Sequence, residues 1–246
     1  MTSQINKARH RAHLGRPQLA LRRIPWIRLS ALATGTVAMG CGVALLLRAR
    51  LGLLPLDVLH VGAAHVLGST VGGGMIAVQA VALLTYLPLR IRPGIGTIAA
   101  FVVPAIVVDL LMPALPLFSG LAMRIAVFTA GGLVFCLGVA IYLAADLGRI
   151  PRDAMMGAFA GKLRKQPVPP LRIAGIRIAI DILCVVAGAL LLGPVAALRS
   201  GMLGFGSLAL VCGCGPLVAF LWHGLTRLTV FAGPQHALLT TSADAQ

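Results

Sequence analysis

The sequence predicts an all-α, polytopic membrane protein made of two internal repeats, with about six long transmembrane helices and two short re-entrant or half-helices. Three observations carry this. The first is composition: of 246 residues, 59% are hydrophobic and 11% charged, and the mean hydropathy is +0.96. A soluble domain is about 45–50% apolar and about 25% charged. The second is a series of apolar runs long enough to cross a bilayer. The third is a motif that occurs twice. Leu51-Gly52-x-x-Pro55-x-Asp57 recurs as Leu147-Gly148-x-x-Pro151-x-Asp153, at a constant offset of 96 residues. The match extends upstream, where Gly35, Gly42, Val43, Ala44, Leu47 and Ala49 recur as Gly131, Gly138, Val139, Ala140, Leu143 and Ala145. Self-similarity at one fixed offset in an apolar chain is the mark of a duplicated membrane protein.

Taken in order, residues 1–28 form a basic segment with seven Lys or Arg. About 20 apolar residues follow without the small-residue cleavage site of a secretory signal. The first run is therefore read as a retained helix, held with its N-terminus in the cytoplasm. Residues 29–230 form one membrane domain, with repeat one at 29–115 and repeat two at 122–226, and 231–246 is a C-terminal tail. Runs at 29–48, 71–89, 94–115, 122–145, 173–193 and 202–226 suit a hydrocarbon core about 30 Å thick. Segments 55–68 and 151–164 have about 14 residues each, or about 21 Å at the helical rise. They fit re-entrant half-helices, interfacial helices or short tilted spans.

Charge orients the chain. If the two short segments do not cross, 16 Lys or Arg fall on the cytoplasmic side and Arg48, Arg50, Arg124 and Arg199 fall outside. If both cross, the split is 13 to 7. The first arrangement obeys the positive-inside rule better. It puts both termini in the cytoplasm of a bacterial plasma membrane and makes the repeats inverted. The net charge of +15 thus reflects membrane orientation, and no nucleic-acid partner is expected.

Each residue type in the repeated motif has a physical use. Gly after an apolar run suits a left-handed helix C-terminus. Pro suits the first position of the next helix, where a missing N–H costs nothing. Asp57 and Asp153 then fall in the first turn, where a carboxylate interacts well with the helix dipole. That reading is structural. A carboxylate at membrane depth is also rare and costly, about 2.5–3.5 kcal/mol on insertion scales, so a solute or proton site is the second reading. The two Asp are expected to lie near each other.

Other ionisable residues join the candidate site. Asp109 lies deep in an apolar run with no Lys or Arg within four residues, which suggests water, a solute or a basic group on another helix, such as Arg177 or Arg124. Arg177 and Asp181 are four apart and share a helix face. His60 is one turn past Asp57 and so can share its site, and Gln79 is placed to bond across helices. His60 and His65 are about 140° apart on a helix and do not chelate, so no metal site is expected. Gly94-Ile95-Gly96-Thr97 resembles Gly204-Phe205-Gly206-Ser207, and both read as tight turns into closely packed helices. The five Cys lie in apolar runs and read as small buried thiols.

These residues resemble a known family, the YczE/YyaS/YitT-like bacterial membrane proteins, and most closely its YczE branch. The resemblance rests on Leu51-Gly52-x-x-Pro55-x-Asp57-Val58-Leu59-His60-Val61-Gly62, on Arg92-Pro93-Gly94-Ile95-Gly96-Thr97 with Asp109, and on Ala145 to Asp153. Arg177-x-x-x-Asp181, Gly204-x-Gly206-Ser207 and Gly215-Pro216-Leu217-Val218 complete it. Asp181 stands where that family usually has Glu, and the Gly-rich turn near Gly193 extends to Gly201. The resemblance implies a multi-pass plasma-membrane protein of poorly defined function.

The leading expectation is a small-solute transporter whose site lies where the two short helices meet, because paired interrupted segments point to the site in such proteins. Its partners would be the lipid bilayer and a small-molecule solute. The alternative is a non-transporting membrane protein that regulates or assembles a partner. The chain has no Gly-x-Ser-x-Gly elbow, His-Glu-x-x-His, Walker A or dinucleotide fingerprint. No enzyme activity and no cofactor is expected.

Overall fold

A computed structural model describes residues 26–84, 93–148 and 170–227. Among these there are eight helices and no strand. They are α1 (Trp26–Ala49), α2 (Pro55–Val66), α3 (Val71–Leu84), α4 (Ile95–Ala114), α5 (Leu121–Ala145), α6 (Pro170–Leu192), α7 (Pro194–Arg199) and α8 (Phe205–Arg227). Four helices are long and apolar enough to cross a membrane: α1, α4, α5 and residues 205–225 of α8. A fifth span is reached if α2 and α3, bent by 109° at a four-residue break, count as one. The described part of α3 is 14 residues, and the apolar part of α6, Ile178–Leu192, is also short of a full span.

The bundle is apolar outside, and a few polar groups lie within its apolar core. Val37, Val81, Ile106, Leu110, Leu133, Leu183, Leu190 and Phe220 are exposed, whereas Thr36, Asp57, His60, Gln79, Thr97 and Asp181 are buried. That arrangement suits a solvent of lipid chains, in which every polar group must find its partner inside. Thr36 does so locally, donating to the carbonyl of Leu32 at 2.8 Å.

α1 and α5 pack through glycines. A Cβ on Gly35 would lie 2.8 Å from the Tyr142 nitrogen and 2.9 Å from the Gly138 oxygen. One on Gly131 would lie 3.1 Å from the Gly42 oxygen and 3.2 Å from the Leu46 nitrogen. A Cβ on Gly138 would lie 2.7 Å from the Met39 nitrogen, and one on Gly42 would lie 2.6 Å from the Phe135 nitrogen. Adding 96 to one member of each contact and subtracting it from the other converts the first contact of every pair into the second. Small residues here allow two backbones to come closer than any side chain permits, which is how membrane helices associate.

The ends of these helices show the same pairing. α1 closes where Arg50 turns left-handed at φ 52, and α5 where Asp146 does so at φ 50. These are the two non-Gly residues with positive φ among those described, and they lie 96 apart. The sequence expectation had assigned this turn to the motif glycine. Gly52 does have φ 145, but Gly148 has no positive φ. The two glycines are needed mainly for space. A Cβ on Gly148 would lie 2.6 Å from the Thr97 nitrogen, and one on Gly52 would overlap the backbone of Ser207.

The Gly-x-Gly turns thus serve the opposite half of the chain. The Gly96 N–H donates to the Leu147 carbonyl at 3.1 Å, and the Gly206 N–H donates to the Leu51 carbonyl at 3.1 Å. Thr97 N–H to Gly94 and Ser207 N–H to Gly204, both 3.0 Å, close the two turns identically. The expected tight turns into packed helices are therefore present. At one end of the bundle Arg124 donates to the carbonyls of Ala49, at 2.7 Å, and Arg50, and Arg48 donates to that of Met112. These arginines satisfy carbonyls left over at the C-termini of α1 and α4.

Candidate functional site

α2 is short and starts inside the bundle. Leu54 is extended at φ −64 and ψ 147, and Pro55 takes the first helical position, as expected of the motif. The approach is anchored by Leu53, whose N–H donates to the Met202 carbonyl at 3.0 Å and to Ser207 Oγ at 3.1 Å. Asp57 sits in the first turn, but it makes no side-chain cap; the N-terminal position carries none. Its Oδ1 lies 3.1 Å from His60 Nδ1. Asp57 is 6% exposed and His60 3%. Asp57 Oδ2 and His60 Nε2 are both buried with no hydrogen-bond partner. Asp57 and His60, one turn apart, are thus in direct contact.

Both residues line a cavity of about 200 Å³. Its wall is apolar over Met39, Val43, Met75, Pro104, Phe135, Val139 and Leu210, and polar at Asp57, His60, Gln79 and Asp181. Met39 is residue 14 of the 24 in α1, Phe135 residue 15 of the 25 in α5, and Asp181 residue 12 of the 23 in α6. The cavity therefore lies at half-height, and the N-terminus of α2 opens onto it. Close backbone contact holds α2 there: a Cβ on Gly62 would lie 2.6 Å from the Gly188 oxygen, and one on Gly188 would lie 2.6 Å from the Leu59 nitrogen. Gln79 on α3, expected to reach across helices, is buried against this cavity.

Asp109 belongs elsewhere. Its Oδ2 accepts from Thr70 Oγ1 at 2.7 Å and its Oδ1 from the Gly72 N–H at 2.8 Å. It caps the N-terminus of α3 from the side of α4 and does not line the cavity. The donors found are neutral, and of the two suggested cations the side chain of Arg177 lies outside the described residues. Arg124, one suggested partner, is bound to the carbonyls at the end of α1. A helix N-terminus supplies free N–H donors that satisfy a carboxylate without any cation.

Asp153 and Pro151 lie outside the described residues, so the expected approach of Asp57 to Asp153 falls there too. Arg177 lies on α6, but its side chain is outside the described set, and the pairing with Asp181 with it. His65 is exposed and apart from His60. Among the described residues no group of His, Cys, Asp or Glu could hold a metal ion, and all five cysteines are free thiols. Cys212 is exposed and Cys41 and Cys214 are half-buried, which corrects the expectation of uniformly buried thiols.

Comparison with known proteins gives a family without a function. A model described as a family of unknown function, DUF6198, matches residues 26–223. An uncharacterized protein of Haemophilus influenzae is 28% identical over 204 residues, covering 81% of this chain and 85% of that protein. The uncharacterized membrane protein YczE of Bacillus subtilis is 32% identical over 127 residues, covering 50% of this chain and 58% of that protein. No solved structure matches.

Proposed function

The chain belongs to the DUF6198 family and is a YczE-like membrane protein, and we propose that it is a small-solute transporter of the bacterial plasma membrane. The observation that carries this is the half-height cavity with buried, partly unpartnered polar groups. Intramembrane ionisable residues are costly and mark solute or proton pathways. A half-helix whose N-terminus faces a central site is the arrangement by which such transporters present donors and charge to a substrate.

The reading includes two inverted repeats, six full spans and both termini in the cytoplasm. Its support is the reciprocal contacts of Gly35 with Gly138 and Gly42 with Gly131, and the exchanged turns at Leu51 and Leu147. Contacts that interchange under a fixed residue offset are those of two copies facing each other about a two-fold axis. Asp153 would then present the second half-helix as Asp57 presents the first, and Arg177 would offset Asp181. No catalytic step is part of this reading.

The test is a thermal-shift screen of purified protein against a small-solute library, followed by uptake of each hit into proteoliposomes. A ligand that binds the folded state raises its stability. The proposal expects uptake that is lost in Asp57→Asn at unchanged protein abundance. Binding without uptake for every hit would favour a protein that regulates or assembles a partner.

A further inference from the structure

We infer that the cavity takes a small organic cation, an amine with an apolar body of about the size of a substituted benzene ring. The inference rests on the cavity being the solute site, and it adds the class of solute. Four observations lead to it.

The first is charge. Asp57 and Asp181 line the cavity, and among the described residues lining it there is no Lys or Arg. Opposite charges attract strongly at low dielectric, and a like charge is repelled by as much. An anion entering this cavity would meet the Asp57 carboxylate, whose Oδ2 is buried without a partner, while an ammonium would find its counter-charge already in place.

The second is hydrogen-bonding capacity. Asp57 Oδ1 and His60 Nδ1 are 3.1 Å apart. When the imidazole N–H donates across that contact, Nε2 carries a lone pair and accepts. Asp57 Oδ2 accepts as well, and both atoms are buried without a partner. In that tautomer the corner offers two unpartnered acceptors on adjacent turns, which suit a ligand with several N–H donors, and an ammonium has three. A buried polar group left unpaired costs about 1–3 kcal/mol, so such atoms persist best where a ligand completes them.

The third is the wall. Met39, Val43, Met75 and Phe135 form an apolar surface opposite the polar corner. Methionine thioethers adapt to aromatic and aliphatic shapes alike. The fourth is size. A dry cavity of about 150 Å³ accepts benzene, so one of about 200 Å³ accepts a ring with a one- or two-atom substituent.

The experiment compares three near-isosteres on the full-length protein in detergent: benzylamine, benzyl alcohol and benzoate. Calorimetry and thermal shift are read for each. The expected order of affinity is benzylamine, then benzyl alcohol, then benzoate, with at least about tenfold between the first and last, the worth of one charge-assisted hydrogen bond. Benzoate binding as well as or better than benzylamine overturns the inference, and so does the absence of binding by all three at millimolar concentration. In Asp57→Asn, benzylamine is expected to weaken about ten- to hundredfold and benzyl alcohol by less, while circular dichroism and thermal unfolding report whether the variant is folded. Undiminished benzylamine affinity in that variant overturns the role of Asp57. If the variant does not fold, the wild-type ranking decides. The two readings fail separately. Benzylamine bound but never moved into proteoliposomes removes the transporter and leaves the cation site, whereas uptake of benzoate without amine binding removes the cation site and leaves the transporter.

Discussion

Asp57 and Asp109 are both acids in apolar runs, yet their surroundings differ: Asp57 lines the cavity and Asp109 does not. Asp109 is satisfied by Thr70 and by the Gly72 N–H at the start of α3. Removing it with Asp109→Ala should cost about 1 kcal/mol, the usual worth of a helix cap, while leaving solute binding and uptake unchanged. Thermal unfolding and uptake measured on the same preparation check this; lost uptake at normal stability would return Asp109 to the mechanism. Asp57 was legible in the sequence, because its repetition at Asp153 and its spacing from His60 both pointed to a site. Asp109 was not. Its partners lie 39 and 37 residues away, and nothing along its own helix shows that a neighbouring N-terminus will face it. The glycines of the motif are a middle case. Their positions were legible, but their purpose, room for the opposite half's backbone, depends on a contact across more than 100 residues of chain at Gly52 and about 50 at Gly148. Gly52→Ala should be more destabilising than Gly148→Ala, since it meets both a clash and a φ of 145 that L side chains rarely adopt. Gly213→Ala, which has open space, should be neutral or stabilising by up to about 1 kcal/mol.

Among elements, the pairing of α1 with α5 is the central packing event. Its glycines meet backbone atoms that cannot swing aside, so each Cβ must separate the helices. Gly42→Ala and Gly138→Ala, which are related by the offset of 96, should destabilise by similar amounts, about 1–3 kcal/mol each. A large difference between them, read from thermal unfolding in detergent, would argue against equivalence of the two halves. Helix positions were largely readable from apolar runs: the expected segments other than 151–164, which lies outside the described residues, fall on observed helices. The ends were harder to place: α8 starts at Phe205 rather than 202. Hydropathy marks where lipid begins, whereas helix ends are set by turns such as those at Gly94 and Gly204, which carry no hydropathy signal. The bend of 109° between α2 and α3 was implicit in the short length of α2, since a segment too short to cross must turn back or lie flat.

At the scale of the molecule, the account is that two facing halves enclose a solute site at half-height. The proposed orientation rests on the charge split. A single cysteine at Phe118 should be labelled by an impermeant reagent from outside, and one at Lys165 from the cytoplasm; labelling of both from one side would contradict the orientation. The cavity itself could not be read from the sequence, because its lining comes from seven helices and its volume depends on how they cross. The claim that this cavity is a transport site can be tested without knowing the solute. Met75 lines it and is 5% exposed. With the five native cysteines replaced by alanine and Met75→Cys introduced, membrane vesicles of each orientation would be treated with an impermeant thiol reagent. An alternating-access transporter exposes the site to each side in turn, so labelling is expected from both sides. Labelling from neither side would contradict the account and leave a sealed cavity in a structural protein.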